Sequence, residues 1–178
     1  MIGVLVSGQG SNLQALIDAG LPIACVASNK SGVRALERAQ VAGIPTRVFP
    51  LDRYPDREHR DSELADWLQL RGVDLVVLAG YMHLLTEPFL DRFRDRIVNV
   101  HPSLLPQFPG ARAIAEALDA GIETTGVTIH YVDEGLDTGA VIRQEPVPIE
   151  PRETLVERIH AVEHRLLPEV VRELCAAR

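Results

Sequence analysis

Residues 2–20, Ile-Gly-Val-Leu-Val-Ser-Gly-Gln-Gly-Ser-Asn-Leu-Gln-Ala-Leu-Ile-Asp-Ala-Gly, decide the fold class. Ile2–Ser7 is a short apolar run, and Gly8-Gln9-Gly10 breaks it. Ser11–Ala19 then places Leu13, Leu16 and Ile17 on one helical face. A strand with no polar alternation is buried on both sides, as strands of a parallel sheet are. Ser11 is the expected N-cap, and Gly20 with Pro22 stops the helix.

The same unit recurs outward from this segment. Pro22–Ser28 reads as a strand and Val33–Val41 as a helix ended by Gly43. Thr46–Phe49 is a strand, followed by a long polar-faced helix from Asp56 to Arg71. Asp74–Ala79 is apolar on both faces and closed by Gly80, and a short helix over Glu87–Phe93 leads into the strand Ile97–His101. This alternation predicts right-handed βαβ units and an α/β, Rossmann-like, mostly parallel sheet with helices on both faces. After Pro102–Gly110 and a helix over Ala113–Ala120, the strands Thr124–Val132 and Ala140–Val147 lie seven residues apart. No helical crossover fits there, so a late antiparallel pair is expected. Thr154–Ala177 is a final helix, with Thr154 near its N-cap and Pro168 as an expected kink or break. With no repeat or linker, residues 1–178 read as a single domain.

The chain has 178 residues, 46% of them hydrophobic, and 18 basic against 25 acidic side chains for a net charge of −7. That supports a full core without disulfide staples and argues against nucleic-acid or acidic-membrane partners, which reward positive charge. A small anionic ligand stays open, since it needs only a local patch. Cys25 and Cys175 fit no zinc or redox spacing. With no basic leader and no apolar stretch near ~20 residues, a cytoplasmic location is expected.

Asparagine occurs only at positions 12, 29 and 99, and each lies near the carboxyl end of an expected strand, where open parallel sheets bind ligands. Gly8-Gln9-Gly10-Ser11-Asn12 turns from strand to helix, so free helix N–H groups beside two glycines suit a phosphate. A dinucleotide fingerprint would need Gly at Leu13, and no Gly-Lys-[Ser/Thr] of a P-loop is present; the alternative is a tight turn that binds nothing. Asn99 and His101, two apart on one strand, share a face at the point where Pro102 ends the ladder. A carboxamide donor beside an imidazole suits stabilising an oxyanion and moving a proton. A histidine satisfied by nearby backbone is the plainer alternative. Asp133–Gly139 reads either as a solvated turn or as a loop turning one carboxylate inward to His101; His130 and Tyr131 read as packing and hydrogen-bonding neighbours, and Glu163-His164 as a surface pair.

Taken together, the segments 4–18 (VLVSGQGSNLQALID), 28–30 (SNK), 74–85 (DLVVLAGYMHLL), 98–110 (VNVHPSLLPQFPG), 124–142 (TTGVTIHYVDEGLDTGAVI) and 162–168 (VEHRLLP) resemble the phosphoribosylglycinamide formyltransferases. These are folate-dependent enzymes of purine synthesis. The resemblance implies the formyltransferase fold and transfer of the formyl group of 10-formyltetrahydrofolate, a co-substrate, to the amine of glycinamide ribonucleotide, with no metal. It implies a catalytic set of Asn99, His101 and Asp137. It places the substrate phosphate on Gly10, Ser11 and Asn12, with Glu163 contacting the substrate. It gives the folate to Arg57, Met82, His83, Leu84 and Leu85, with Asn99 and the loop Asp133, Glu134, Gly135, Leu136 and Asp137. Partners would be these small molecules only, the chain acting as monomer or homodimer. Alternatives are a methionyl-tRNA formyltransferase-like enzyme, a formyltetrahydrofolate hydrolase, or a non-catalytic folate- or nucleotide-binding module. Two departures stand out: Ala111-Arg112-Ala113-Ile114 replaces histidines usual after Pro109-Gly110, and His83 stands where arginine is common.

Overall fold

A computed structural model describes residues 1–177. Strands β1 (Ile2–Val6), β2 (Ile23–Ser28), β3 (Thr46–Val48), β4 (Leu75–Leu78), β5 (Ile97–His101), β6 (Thr124–Tyr131) and β7 (Val141–Pro148) form one sheet in the order β3-β2-β1-β4-β5-β6-β7. Helices α1 (Ser11–Asp18), α2 (Arg34–Val41), α3 (Arg57–Leu70), α4 (Glu87–Arg92), α5 (Ala113–Asp119) and α6 (Leu155–Ala176) alternate with them. The chain divides into two compact units, Met1–Val98 and the residues from Asn99 onward. Both cysteines are free. Among the described residues no helix is long and apolar enough to cross a membrane.

In the first unit β1 is the hinge of the topology. Val4 lies opposite Val26 of β2 on one side and Val77 of β4 on the other, both parallel. Every residue of β1 and β4 is buried, which is why neither shows polar alternation. The chain runs outward through β2 and β3 and returns to β4, so the segments after β1 and β4 leave neighbouring strand ends in a topological switch point.

The turn after β1 corrects one expectation. Ser11 is the first helical residue of α1 rather than its cap; the cap position is Gly10, at φ 73, and no side chain bonds there. The reason is space. A Cβ on Gly10 would stand 2.6 Å from Ala35 Cβ and 2.7 Å from Ala35 Cα. The two helices are drawn together by Ala35 N–H donating to Gly8 O at 3.0 Å and Arg38 Nε donating to Gln9 O at 3.0 Å. Gly10→Ala combines a left-handed backbone with a steric clash, and should lower unfolding stability by about 2 kcal/mol or more. Urea denaturation checks this; an unchanged midpoint would show that α2 yields freely.

In the second unit β6 and β7 are antiparallel, with Val127 opposite Glu145, as their short connection requires. Helix α6 packs on both strands and buries Leu155, Ile159, Leu166, Leu167, Val170 and Val171. Of the kink or break expected at Pro168, the break does not occur: α6 continues through it over 22 residues. Proline forfeits one intrahelical hydrogen bond and crowds the preceding turn, at about 3 kcal/mol, but burial of six aliphatic side chains at roughly 1.5–3 kcal/mol each outweighs that.

Candidate active site

Asn99 and His101 come from the same face of β5, one residue apart from Val100 on either side, and His101 is only 4% exposed. Asp137, in the β6–β7 connection at φ 54, turns its carboxylate toward them. Its Oδ2 accepts from Gly110 N–H at 2.8 Å and lies 3.4 Å from His101 Nδ1. Its Oδ1 is 3.5 Å from Asn99 Nδ2 and 3.6 Å from Nε2 of His130. Burial pushes the Asp137 carboxyl upward, but the His130 and Gly110 hydrogen bonds and the adjacent imidazoles prevail and hold it below the usual range.

The tautomers follow from the acceptors. His101 Nε2–H donates to Phe108 O at 2.8 Å, leaving Nδ1 toward a carboxylate, so a protonated ring has an acceptor at each nitrogen. His130 Nδ1–H donates to Tyr131 O at 2.8 Å; on the neutral ring Nε2 accepts from Asn99 Nδ2 at 3.2 Å, and on the protonated ring it donates toward Asp137 Oδ1. The neutral ring anchors one N–H of the Asn99 amide, and the Asp137 Oδ1 contact, at 3.5 Å, is loose enough to give way to a stronger acceptor. Phe108 sits at φ 50, and its carbonyl is held toward His101 by the folding of its loop. Thr128 Oγ1 donates to Ser103 O at 2.7 Å and accepts from Leu105 N–H at 3.1 Å and Gln144 Nε2 at 2.9 Å, pinning that loop to β6 and β7.

Asp133 divides the acidic loop by role. Its Oδ1 accepts from Gly135 N–H at 3.0 Å and Thr138 Oγ1 at 2.6 Å, so it shapes the turn, while Asp137 faces the histidines. Leu136 is half exposed.

In the first unit, Leu51, Arg57, Met82, His83 and Leu84 line a cavity of about 360 Å³. A second, of about 620 Å³, shares Leu51 and Arg57 and adds Tyr54, Pro55, Asp56, Glu58 and Thr86. Arg57 Nη2 donates to Leu84 O, holding the segment after β4. Met82 and Leu84 are exposed, which suits an apolar ring, whereas Leu85 is buried and outside the lining of either cavity. The phosphate-type turn keeps the first N–H groups of α1 beyond the reach of helix carbonyls. On α6, Glu163 is buried, which departs from a surface pair.

The profile of the formyl transferase family matches residues 1–171. The chain belongs to the formyl transferase family. Its sequence is 43% identical over 180 residues to the phosphoribosylglycinamide formyltransferase of Haemophilus influenzae, covering 96% of this chain and 85% of that one. It is 49% identical over 181 residues to the trifunctional purine biosynthetic protein adenosine-3 of Drosophila pseudoobscura pseudoobscura, where it covers 96% of itself but spans only 13% of the relative's length. The crystal structure of glycinamide ribonucleotide transformylase 1 from Symbiobacterium toebii superposes with a TM-score of 0.96 at 44% identity, covering 99% of this chain and 88% of that one.

His130, read as a packing and hydrogen-bonding neighbour, joins the polar cluster; the signal is Thr128-x-His130, two polar residues on one face of β6. One feature of this formyl transferase escapes a sequence reading. Arg60 and Asp61 are fully buried on α3, within what reads as a solvated helix. Only burial distinguishes them from their charged neighbours.

Proposed function

We propose that this chain transfers the formyl group of 10-formyltetrahydrofolate to the amine of glycinamide ribonucleotide, in de novo purine biosynthesis. The observation that carries the reading is the Asn99–His101–Asp137 cluster, braced by His130, in a chain whose formyltransferase relatives match it nearly end to end. The family match over residues 1–171 supports treating the whole chain as one functional domain.

The amine nitrogen attacks the formyl carbon, forming a C–N bond and a tetrahedral intermediate whose oxygen bears the negative charge. An N–H of Asn99 donates to that oxygen. His101 holds its Nε2 proton against the Phe108 carbonyl, and a formyl oxygen gaining charge is the stronger acceptor for it. Each well-aimed donor supplies on the order of 3 kcal/mol. Asp137 orients His101, and by way of water assists the amine proton toward N10 of the folate. The C–N10 bond then breaks, releasing tetrahydrofolate and the formylated ribonucleotide.

Arg57, Met82, His83 and Leu84 supply folate contacts in this reading, supported by the cavity they line, and Asp133–Leu136 supply further folate contacts. Leu85 contributes from beneath as packing. Gly10, Ser11 and Asn12 take the phosphate, supported by the glycine-capped N-terminus of α1, and Glu163 contacts the ribonucleotide. The chain works in the cytoplasm on these small molecules alone, without nucleic acid, membrane or metal, as monomer or homodimer. Incubation with both substrates tests the proposal: tetrahydrofolate release that requires the ribonucleotide is expected. Release without it would instead mark a hydrolase, and no release a binding module.

A further inference from the structure

Arg60 is the largest of the fully buried side chains, and a buried guanidinium is costly unless its donors are used. Asp61 Oδ1 accepts from Nε at 2.8 Å and lies 2.7 Å from Nη2 as an ion pair, with Nη2 making no hydrogen bond of its own. Nη1 is directed at Nδ1 of His83, 2.6 Å away. Asp61 Oδ2 accepts from both the N–H and the Oγ1 of Thr86, each at 2.8 Å. Two consecutive residues of α3 therefore clamp both ends of the 83–86 segment, with Met82 N–H donating to Ser7 Oγ at 2.9 Å just before it.

We propose that Arg60 is a positioning residue for the formyl donor: it fixes the Met82–Leu84 wall through His83, and it does so only while His83 is neutral. The inference rests on the reading that this wall receives the folate. Arginine has no acceptor, so His83 Nδ1 must be the acceptor. The ring proton then sits on Nε2, 3.2 Å from Asn29 Nδ2, and accepting it would require the Asn29 amide to turn over, giving up the Ser7 Oγ bond its oxygen accepts at 2.6 Å. Protonating Nδ1 would set one N–H against another and one cation against another. The charged and titratable groups around His83 are Arg60, Arg57 and Asp61 from α3, Lys30 from the segment after β2, and Tyr81 of its own segment. Asp61, the one acid among them, is committed to Arg60 and Thr86. Burial, then Arg60 and Arg57, lower the His83 pKa, so the clamp holds through neutral pH and fails as pH falls through that lowered value.

The test is the KM for 10-formyltetrahydrofolate across pH, in wild type, His83→Gln and Arg60→Gln. A glutamine carbonyl accepts from Arg60 at any pH. Wild-type donor KM should stay nearly flat through neutral pH and rise several-fold only below the ordinary imidazole range, as pH falls through the lowered His83 value, and His83→Gln should flatten that rise. Arg60→Gln should raise donor KM at all pH values; if it does not fold, His83→Gln decides alone. A wild-type slope retained in His83→Gln overturns the inference. Calorimetric binding of tetrahydrofolate at about pH 7.5 separates the two levels. Binding with an unaltered slope defeats the clamp alone, and no binding defeats the folate reading with it.

Discussion

His101→Ala should fold and lose on the order of 10²–10³ in kcat, with both KM values changed far less. In the proposed mechanism the Nε2 proton turns from Phe108 O to the formyl oxygen, and its deletion removes a contact that strengthens only as that oxygen gains charge. Stability falls too, because Phe108 O and the Asp137 carboxylate each lose a buried partner, at about 1–3 kcal/mol. A domain with a typical margin of about 5–15 kcal/mol survives that. Turnover near wild type in a well-folded variant would remove His101 from the chemistry.

Asp137→Asn is nearly the same shape and should cost ~10²-fold or more in kcat. The carboxylate serves Gly110 N–H, His101, His130 and Asn99 at once. A carboxamide has a single oxygen, so one side of that set meets an NH2 group, and the negative charge facing His101 is lost. Because both residues act on one event, the double variant should be little slower than His101→Ala alone, and multiplicative losses would contradict their coupling. The native carboxyl also titrates below its ordinary value, so its stabilisation is complete above the usual carboxylate range and is lost as pH falls through the lowered value. Melting curves in acid should be less steeply pH-dependent for the variant.

What the sequence made legible tracks the range of the interactions involved. Strand β5 ends at His101 where Pro102 predicts, since both the apolar run and the proline act locally. The antiparallel β6–β7 pair follows from connection length alone. Ser11 looks like a cap because capping preferences are local, but the approach of α2, 24 residues on at Ala35, requires glycine at the cap itself. Pro168 looks like a break because its sequence neighbours do not reveal how much of α6 is buried. Asn99 and His101 are readable as a pair from strand periodicity. Asp137 is one of several acids in its loop, and its orientation depends on a positive φ and on Gly110. Arg60 is the extreme case: nothing in a run of charged residues marks the one that goes inside.

The approach of α2 to the turn after β1 also bears on variation at position 35. Ala35 is fully buried, and its Cβ fills the volume that any side chain on Gly10 would need. The two positions draw on one shared volume. In a saturation library, position 35 should therefore reject every larger residue as sharply as a ligand-contacting position does, although its own role is to set the shape of the turn. A map of mutational tolerance would then outline the turn after β1 twice, once along residues 8–12 and once on the helix that presses against it.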